Sequence, residues 1–280
     1  TLSDGTAAVK PLAARYVQKV GMAEPRRVQR RALELLVSDD DATRKLAVEI
    51  LLKTDAVPVV LTKILGFSRG LLGWLRSRIL YSLGAVGAPI LDATAKLLSD
   101  PDDELRSSAL VLAENLLENP DFDDESRRAA YRVLLGPVVQ LLGDRDWWLA
   151  ISACDILSRL KATRAVPALV HALSKDEVRW AAIEALGEIG DPSALRPLCS
   201  LLDDKRPEVR LEVVHALARF RERATMPLLE RLMKSDPSSA VRTGAADVLR
   251  TLALELDGTE LAVGTTTGAV TMGAGDEPLQ

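Results

Sequence analysis

The sequence predicts an all-α chain, an α-solenoid (superhelix) of about seven to eight helix–turn–helix repeats, from three observations. A short pattern recurs at a near-constant spacing, its apolar positions follow the period of a helix, and no strand-like alternation appears before residue 257. The stretch VRWAAIEALGEIG, from Val178 to Gly190, returns as LRSRILYSLGAVG from Leu75, LRSSALVLAENL from Leu105, VRLEVVHALARF from Val209 and VRTGAADVLRTL from Val241. Weaker copies are VKPLAARYVQKVG from Val9, TRKLAVEILLKT from Thr43 and LAISACDILSRL from Leu149. Successive copies start 29 to 34 residues apart, except for one interval of 44. A fixed period of this length marks a stacked repeat architecture, in which each unit buries its apolar face only against its neighbours.

Each copy keeps apolar or small residues at offsets 0, +4, +7, +8 and +11, one face of a helix with 3.6 residues per turn. Between copies lies a second apolar-striped segment, such as AVPALVHALSK or SALRPLCSLLDD. Asp100-Pro101, Asp191-Pro192 and Asp236-Pro237 read as an N-cap followed by proline at the first helical position. The repeats occupy residues 1–256. The long interval places an insertion near 118–128, in the acidic stretch ENPDFDDESRR, where it is expected to form a specificity loop or a bend.

The pattern D-x-x-x-V-R-x-x-A-x-x-A-L-G-x-I-G-D, carried best by KDEVRWAAIEALGEIGDPSAL and DKRPEVRLEVVHALARF, resembles HEAT repeats of the short phycobilisome-lyase type. The resemblance covers roughly residues 5–256. It implies a binding scaffold, because that family presents extended surfaces to many unrelated partners, and a ladder of stacked Asp and Arg side chains along the superhelix. It also implies that second helices line the concave surface, which makes Arg164, His171, Arg196, Glu230 and Arg231 groove candidates.

An arginine recurs at offset +1, as Arg44, Arg76, Arg106, Arg179, Arg210 and Arg242, with Lys10 in the first copy. A catalytic arginine is needed once, not once per repeat, so these read as structural. At the border of the buried stripe they reach acids at the inter-helix turns, such as Asp176, Asp204 or Asp236. The fifth copy has Ala150 at this position, which predicts a weaker or differently satisfied junction there.

Composition narrows the function classes. Forty-eight per cent hydrophobic residues supply a large core, but only 4% are aromatic, so Leu, Ala and Val fill it. The net charge of −4 argues against a chain whose main partner is nucleic acid, since phosphate binding needs clustered positive charge. Cys154 and Cys199 lack CxxC spacing and predict a reduced, cytoplasmic protein. No membrane span or signal peptide is evident, and a start at Thr1 suggests a piece of a longer polypeptide, whose other domains are possible partners.

Candidate chemistry is sparse. The two histidines, His171 and His215, lie on different repeats without ligands at metal spacing, so no metal and no cofactor is expected. The acidic runs Asp39-Asp40-Asp41, Asp102-Asp103-Glu104 and Asp203-Asp204 precede first helices, where they favour the positive helix N-terminus. Arg26, Arg27, Arg30 and Arg31, and the group Arg219, Arg221 and Arg223, read as solvated faces amid acids. No catalytic residue is assigned and the chain is expected not to be an enzyme.

The tryptophans stand out. Trp180 lies about 200° round the helix from Val178, away from the apolar stripe. Ile151 and Leu211 share its offset, and Trp147 stands one turn before Ile151. Trp147, Ile151, Trp180 and Leu211 are therefore expected to form an outward apolar strip that binds a protein partner. The alternative is that neighbouring helices cover them.

Composition shifts after Leu256. DGTELAVGTTTGAVTMGAGDEPLQ, residues 257–280, has no Lys or Arg and reads as a Gly/Thr-rich linker or tail, possibly the start of another domain. The alternation in TELAVGTTTGAVTM loosely resembles one strand pair of a WD40-type propeller blade. The function expected from all of this is a protein–protein interaction scaffold or regulatory module. Two alternatives stand beside it: a bilin lyase or isomerase-like protein, suggested by the phycobilisome-lyase resemblance, and a HEAT-like nucleic-acid binder.

Overall fold

A computed structural model describes residues 25–267, with side chains from 26 to 255. The copy from Val9, with Lys10, lies outside the described residues, as do residues 268–280. Every regular element among the described residues is helical. The chain runs α1 (Pro25–Leu35), α2 (Asp41–Leu52), α3 (Val57–Ser68), α4 (Gly73–Gly84), α5 (Leu91–Leu97), α6 (Asp103–Glu118), α7 (Asp124–Leu141), α8 (Trp147–Arg159), α9 (Val166–Ala172), α10 (Arg179–Ile189), α11 (Leu195–Ser200), α12 (Pro207–Phe220), α13 (Met226–Ser235) and α14 (Ser239–Thr267). Short 3-10 turns lead into α5, α9, α11 and α13.

The even-numbered helices from α2 carry the recurring pattern, and the odd-numbered ones supply the second helix of each pair. Two compact units divide after Ala172. In the first, α2, α4, α6 and α8 pack side by side, with α3, α5 and α7 as a second layer. In the second, α10, α12 and α14 pack in the same order, with α13 against α14. Each unit is thus a stack of helical hairpins, the α-solenoid class.

The repeat stripe explains the packing. In α12, Val213, Val214, Ala216 and Leu217 are fully covered; in α10, the equivalent Ala182, Ile183, Ala185 and Leu186 are. Small residues allow adjacent first helices to approach closely: a Cβ on Gly187 would stand 3.0 Å from the Cα and Cβ of Ala216. Gly190 closes α10 in the left-handed conformation at φ 71°, which glycine adopts without steric cost.

Two local expectations differ from the structure. Of the three Asp-Pro pairs, only Asp191 caps the helical turn that its proline starts, accepting from the Ser193 amide at 2.9 Å. Asp100 and Asp236 instead accept the amides of Asp102 and Ser238, at 2.9 and 2.8 Å. These turns postpone the helix, so Asp102 becomes the cap of α6 and α14 begins at Ser239.

The 118–128 insertion is also not a free loop. Glu118 ends α6 and Asp124 starts α7, an 18-residue helix, so the extra length is largely helical. Buried Phe122 pins the turn, and the Asn119 side chain donates to the Gly84 carbonyl at 3.2 Å. Asp123 then caps α7 by accepting from Ser126 N at 2.8 Å.

At the other end, α14 continues through Thr267, so residues 259–267 form no strand. A nucleated helix adds a hydrogen bond with every residue it recruits, which outweighs the β-favouring alternation. Among the described residues no helix is long and apolar enough to cross a membrane.

Candidate interaction surfaces

The recurring arginines build the frame on which any surface is displayed. Arg44 Nη1 donates to the carbonyls of Ser38 and Asp39, at 2.8 and 3.0 Å. Arg106 does the same to Asp100 and Pro101, Arg210 to Asp204 and Lys205, and Arg242 to Asp236 and Pro237. Each guanidinium therefore ties the start of its helix to the turn five and six residues before it.

The other nitrogens reach forward to the next repeat. Arg44 Nε donates to Ser82 at 3.2 Å, Arg76 Nη1 to Glu104 at 3.1 Å and Arg106 Nε to Asp144 at 3.2 Å. Arg210 grips Asp236 with two bonds. Arg179 is the loose rung: its Nε donates to the Leu173 carbonyl at 2.6 Å. Its buried Nη1 lies 2.7 Å from Asp176 and 3.9 Å from Asp204, with neither in good hydrogen-bonding geometry. Ala150, at the same offset in α8, is buried and offers no donor.

The expected apolar strip is only partly present. Trp147 and Trp180 are each 52% exposed, but Ile151 is only 9% exposed and cannot present a surface. Leu211 is half-buried, packing into the notch left by Gly244 in α14: its Cδ1 lies 2.6 Å from where a Cβ on that glycine would stand. Side chains of a first helical turn lean toward the N-terminus, past the neighbouring helices, whereas one turn further in they are covered. That rule also exposes two tryptophans that the repeat offsets did not single out, Trp74 and Trp148, at 54% and 56%. All four tryptophans thus fall in the first turn of a first helix, in α4, α8 and α10, although only Trp74 and Trp148 share an offset in the aligned copies, because α10 starts later in its copy.

In the first unit, Trp147 and Trp148 meet edge-to-face, with centroids 5.8 Å apart. Arg78 stands over the Trp74 ring at 5.7 Å and also donates to Asp39 at 2.8 Å. In the second unit, Trp180 projects from α10 just after the Arg179 rung.

The second-helix candidates Arg164, His171, Arg196, Glu230 and Arg231 are all exposed. Arg231 pairs with Asp203 at 3.4 Å and Glu230 with Lys234 at 3.9 Å. The two arginine-rich groups are interleaved with acids: Arg31 pairs with Glu34, Arg219 with Glu188 and Arg221 with Glu255. His171 and His215 are exposed. No group of three or more His, Cys, Asp or Glu side chains among the described residues is arranged to hold a metal ion.

Helical hairpins stacked at a near-constant period, with an arginine near the start of every first helix from α2 to α14 except α8, define an α-solenoid repeat protein. Residues 174–250 match the model of the HEAT repeats family. The bilin biosynthesis protein PecE of Mastigocladus laminosus is 36% identical over 100 residues, a match that spans 35% of this chain and 37% of that relative. Among solved structures, an engineered protein is 20% identical with a TM-score of 0.50, covering 90% of this chain and 76% of its own. A designed armadillo repeat protein is 21% identical with a TM-score of 0.45, covering 79% of this chain and 98% of its own.

Proposed function

We propose that the chain is a non-enzymatic protein-interaction module whose contacts are the tryptophans displayed at the first turns of its first helices. The observation that carries this reading is the exposure of all four tryptophans in a chain with only ten aromatic residues. Large aromatic side chains bury the most area per residue in interfaces and dominate their energetics. The exposed half of each indole adds nothing to the stability of its own repeat. The arginines, in contrast, spend their donors on backbone turns and neighbouring acids, which leaves them little to offer a partner.

Site-specific photo-cross-linking tests this. A photoreactive amino acid replacing Trp148 or Trp180 is expected to capture discrete protein partners in a cell extract, and the same probe at exposed Arg219 is not. Equal labelling from all three positions, or none from the tryptophan positions, overturns the reading.

The match to PecE favours a second reading, in which the chain handles a bilin carried by a partner protein. Mixing the chain with a free or protein-linked bilin then shifts the chromophore's absorption; an unchanged spectrum removes this reading.

A further inference from the structure

Resting on the interaction-module reading, we propose that the tryptophan pair of the first unit docks a basic peptide segment. One arginine or lysine of that segment enters the pocket between the turns that start α6 and α8. The pocket has a volume of about 380 Å³ and is lined by Asp103, Arg106, Gly143, Asp144, Arg145 and Asp146. Its three carboxylates face two guanidinia, and one of these is already committed. Arg106 donates to Asp144 at 3.2 Å, to Asp103 at 2.7 Å and to the carbonyls of Asp100 and Pro101. Asp144 is held further, accepting from the Asp146 amide at 3.0 Å. Asp103 and Asp146 remain exposed, Asp103 by 89%. Three carboxylates against two guanidinia, Arg106 and the exposed Arg145, leave the pocket a net negative charge.

Trp147 and Trp148 follow the pocket directly in the chain. The Trp148 amide donates to Asp146 at 2.9 Å, so the carboxylate and the indole pair share one helical turn. Indole faces attract guanidinium and ammonium groups, and a neighbouring carboxylate adds to that attraction. The same unit shows this pairing internally, where Arg78 lies over Trp74 and bonds to Asp39. An acidic partner would meet the carboxylates unfavourably, and an apolar one would leave them desolvated and unpaired.

The test is fluorescence anisotropy of three labelled heptapeptides with the full chain, one centred on Arg-Lys-Arg, one with glutamines and one with glutamates in their place. The basic peptide is expected to bind, more weakly in 0.5 M salt than in 0.05 M salt. Asp103→Asn with Asp146→Asn, and separately Trp147→Ala with Trp148→Ala, are each expected to weaken it by about fivefold or more. The asparagine at 146 keeps a helix-capping side chain, and circular dichroism checks that both variants fold. Equal binding of the glutamine or glutamate peptide, no binding of the basic peptide, or unchanged binding by either the carboxylate or the tryptophan variant overturns the proposal. If the cross-links from Trp148 persist in that case, the interaction surface stands and only its preference for basic segments falls.

Discussion

Arg210 of α12 grips Asp236 in a two-pronged ion pair, Nε to Oδ2 at 2.8 Å and Nη2 to Oδ1 at 2.7 Å, with both side chains buried. Its remaining Nη1 donates to the carbonyls of Asp204 and Lys205, so one side chain joins three consecutive elements. Removing one partner of a buried pair leaves the other charged and unpaired, at a cost of about 3–5 kcal/mol. Arg210→Ala is expected to lose that much in urea melts. Arg179→Ala, lacking a tight forward partner, is expected to lose clearly less. The double variant Arg210→Ala with Asp236→Ala is expected to be less destabilised than the sum of its singles.

The same pair sets an acid limit. The Arg210 hydrogen bonds hold the Asp236 carboxyl below its ordinary range. A depressed folded value contributes stability above the unfolded carboxylate value, near ~4, and loses it as pH falls through the folded one. Between pH 5 and pH 2 the wild type is expected to lose more stability than Asp236→Asn does, although the variant starts lower. Parallel curves would count against the pair.

Glu114 of α6 behaves in the opposite sense. Burial raises its carboxyl, repulsion from Asp155 adds to this, and a hydrogen bond with Ser152 and attraction to Arg159 oppose it. A raised folded value means that the folded state holds its proton more tightly, so this contribution is full at low pH and declines as pH rises through that value. Glu114→Gln is expected to raise the melting temperature at pH 8 and to change it little at pH 4.

Glycines separate close packing from helix propensity. A Cβ on Gly84 would stand 2.7 Å from Cβ of Asn115 and 3.1 Å from its carbonyl carbon, whereas one on Gly66 meets nothing within 4 Å. Alanine gains up to about 1 kcal/mol of propensity in a helix interior. Gly66→Ala is expected to stabilise by roughly that amount. Gly84→Ala is expected to destabilise by about 1–2 kcal/mol, since overpacking against backbone outweighs the gain. Both values are read from denaturant midpoints.

The two thiols differ in reach. Burial pushes Cys154 up to about 12, so it carries almost no thiolate at neutral pH, while Cys199 is only half-buried. A thiol reagent is expected to modify Cys199 in the native protein and Cys154 only at the rate of unfolding.

Much of the frame was legible in the sequence because it repeats. The recurring offsets mark the buried face of α2, α4, α6, α8, α10, α12 and α14, and an arginine returning in six of the eight copies reads as structural. What the period does not carry was harder to read. The offsets place Ile151 beside Trp147, yet only the first-turn residue escapes its neighbours, which depends on how far adjacent helices extend. The exposure of Trp148 depends on the same thing, although it stands at the offset that Trp74 occupies in an earlier copy. The acidic stretch at 118–128 reads as a specificity loop or a bend because the one long interval between copies falls there. An amphipathic helix also carries charge on its outer face, and the first turns of α7, from Asp124 to Arg128, do so.

The central claim, that the arginines hold the frame while the tryptophans meet the partner, is tested most directly by comparing stability and binding across one set of variants. Arg210→Ala, Trp148→Asp and Trp180→Asp are each melted thermally beside the wild type, and each is assayed for retention of the proteins captured by the photoreactive probes at positions 148 and 180. The account predicts that Arg210→Ala lowers the melting temperature by several degrees or more. It predicts that the tryptophan variants melt within about 2 °C of the wild type, because exposed substitutions cost little stability, and lose their partners. Tryptophan variants that melt early, or that keep every partner while remaining folded, would contradict it.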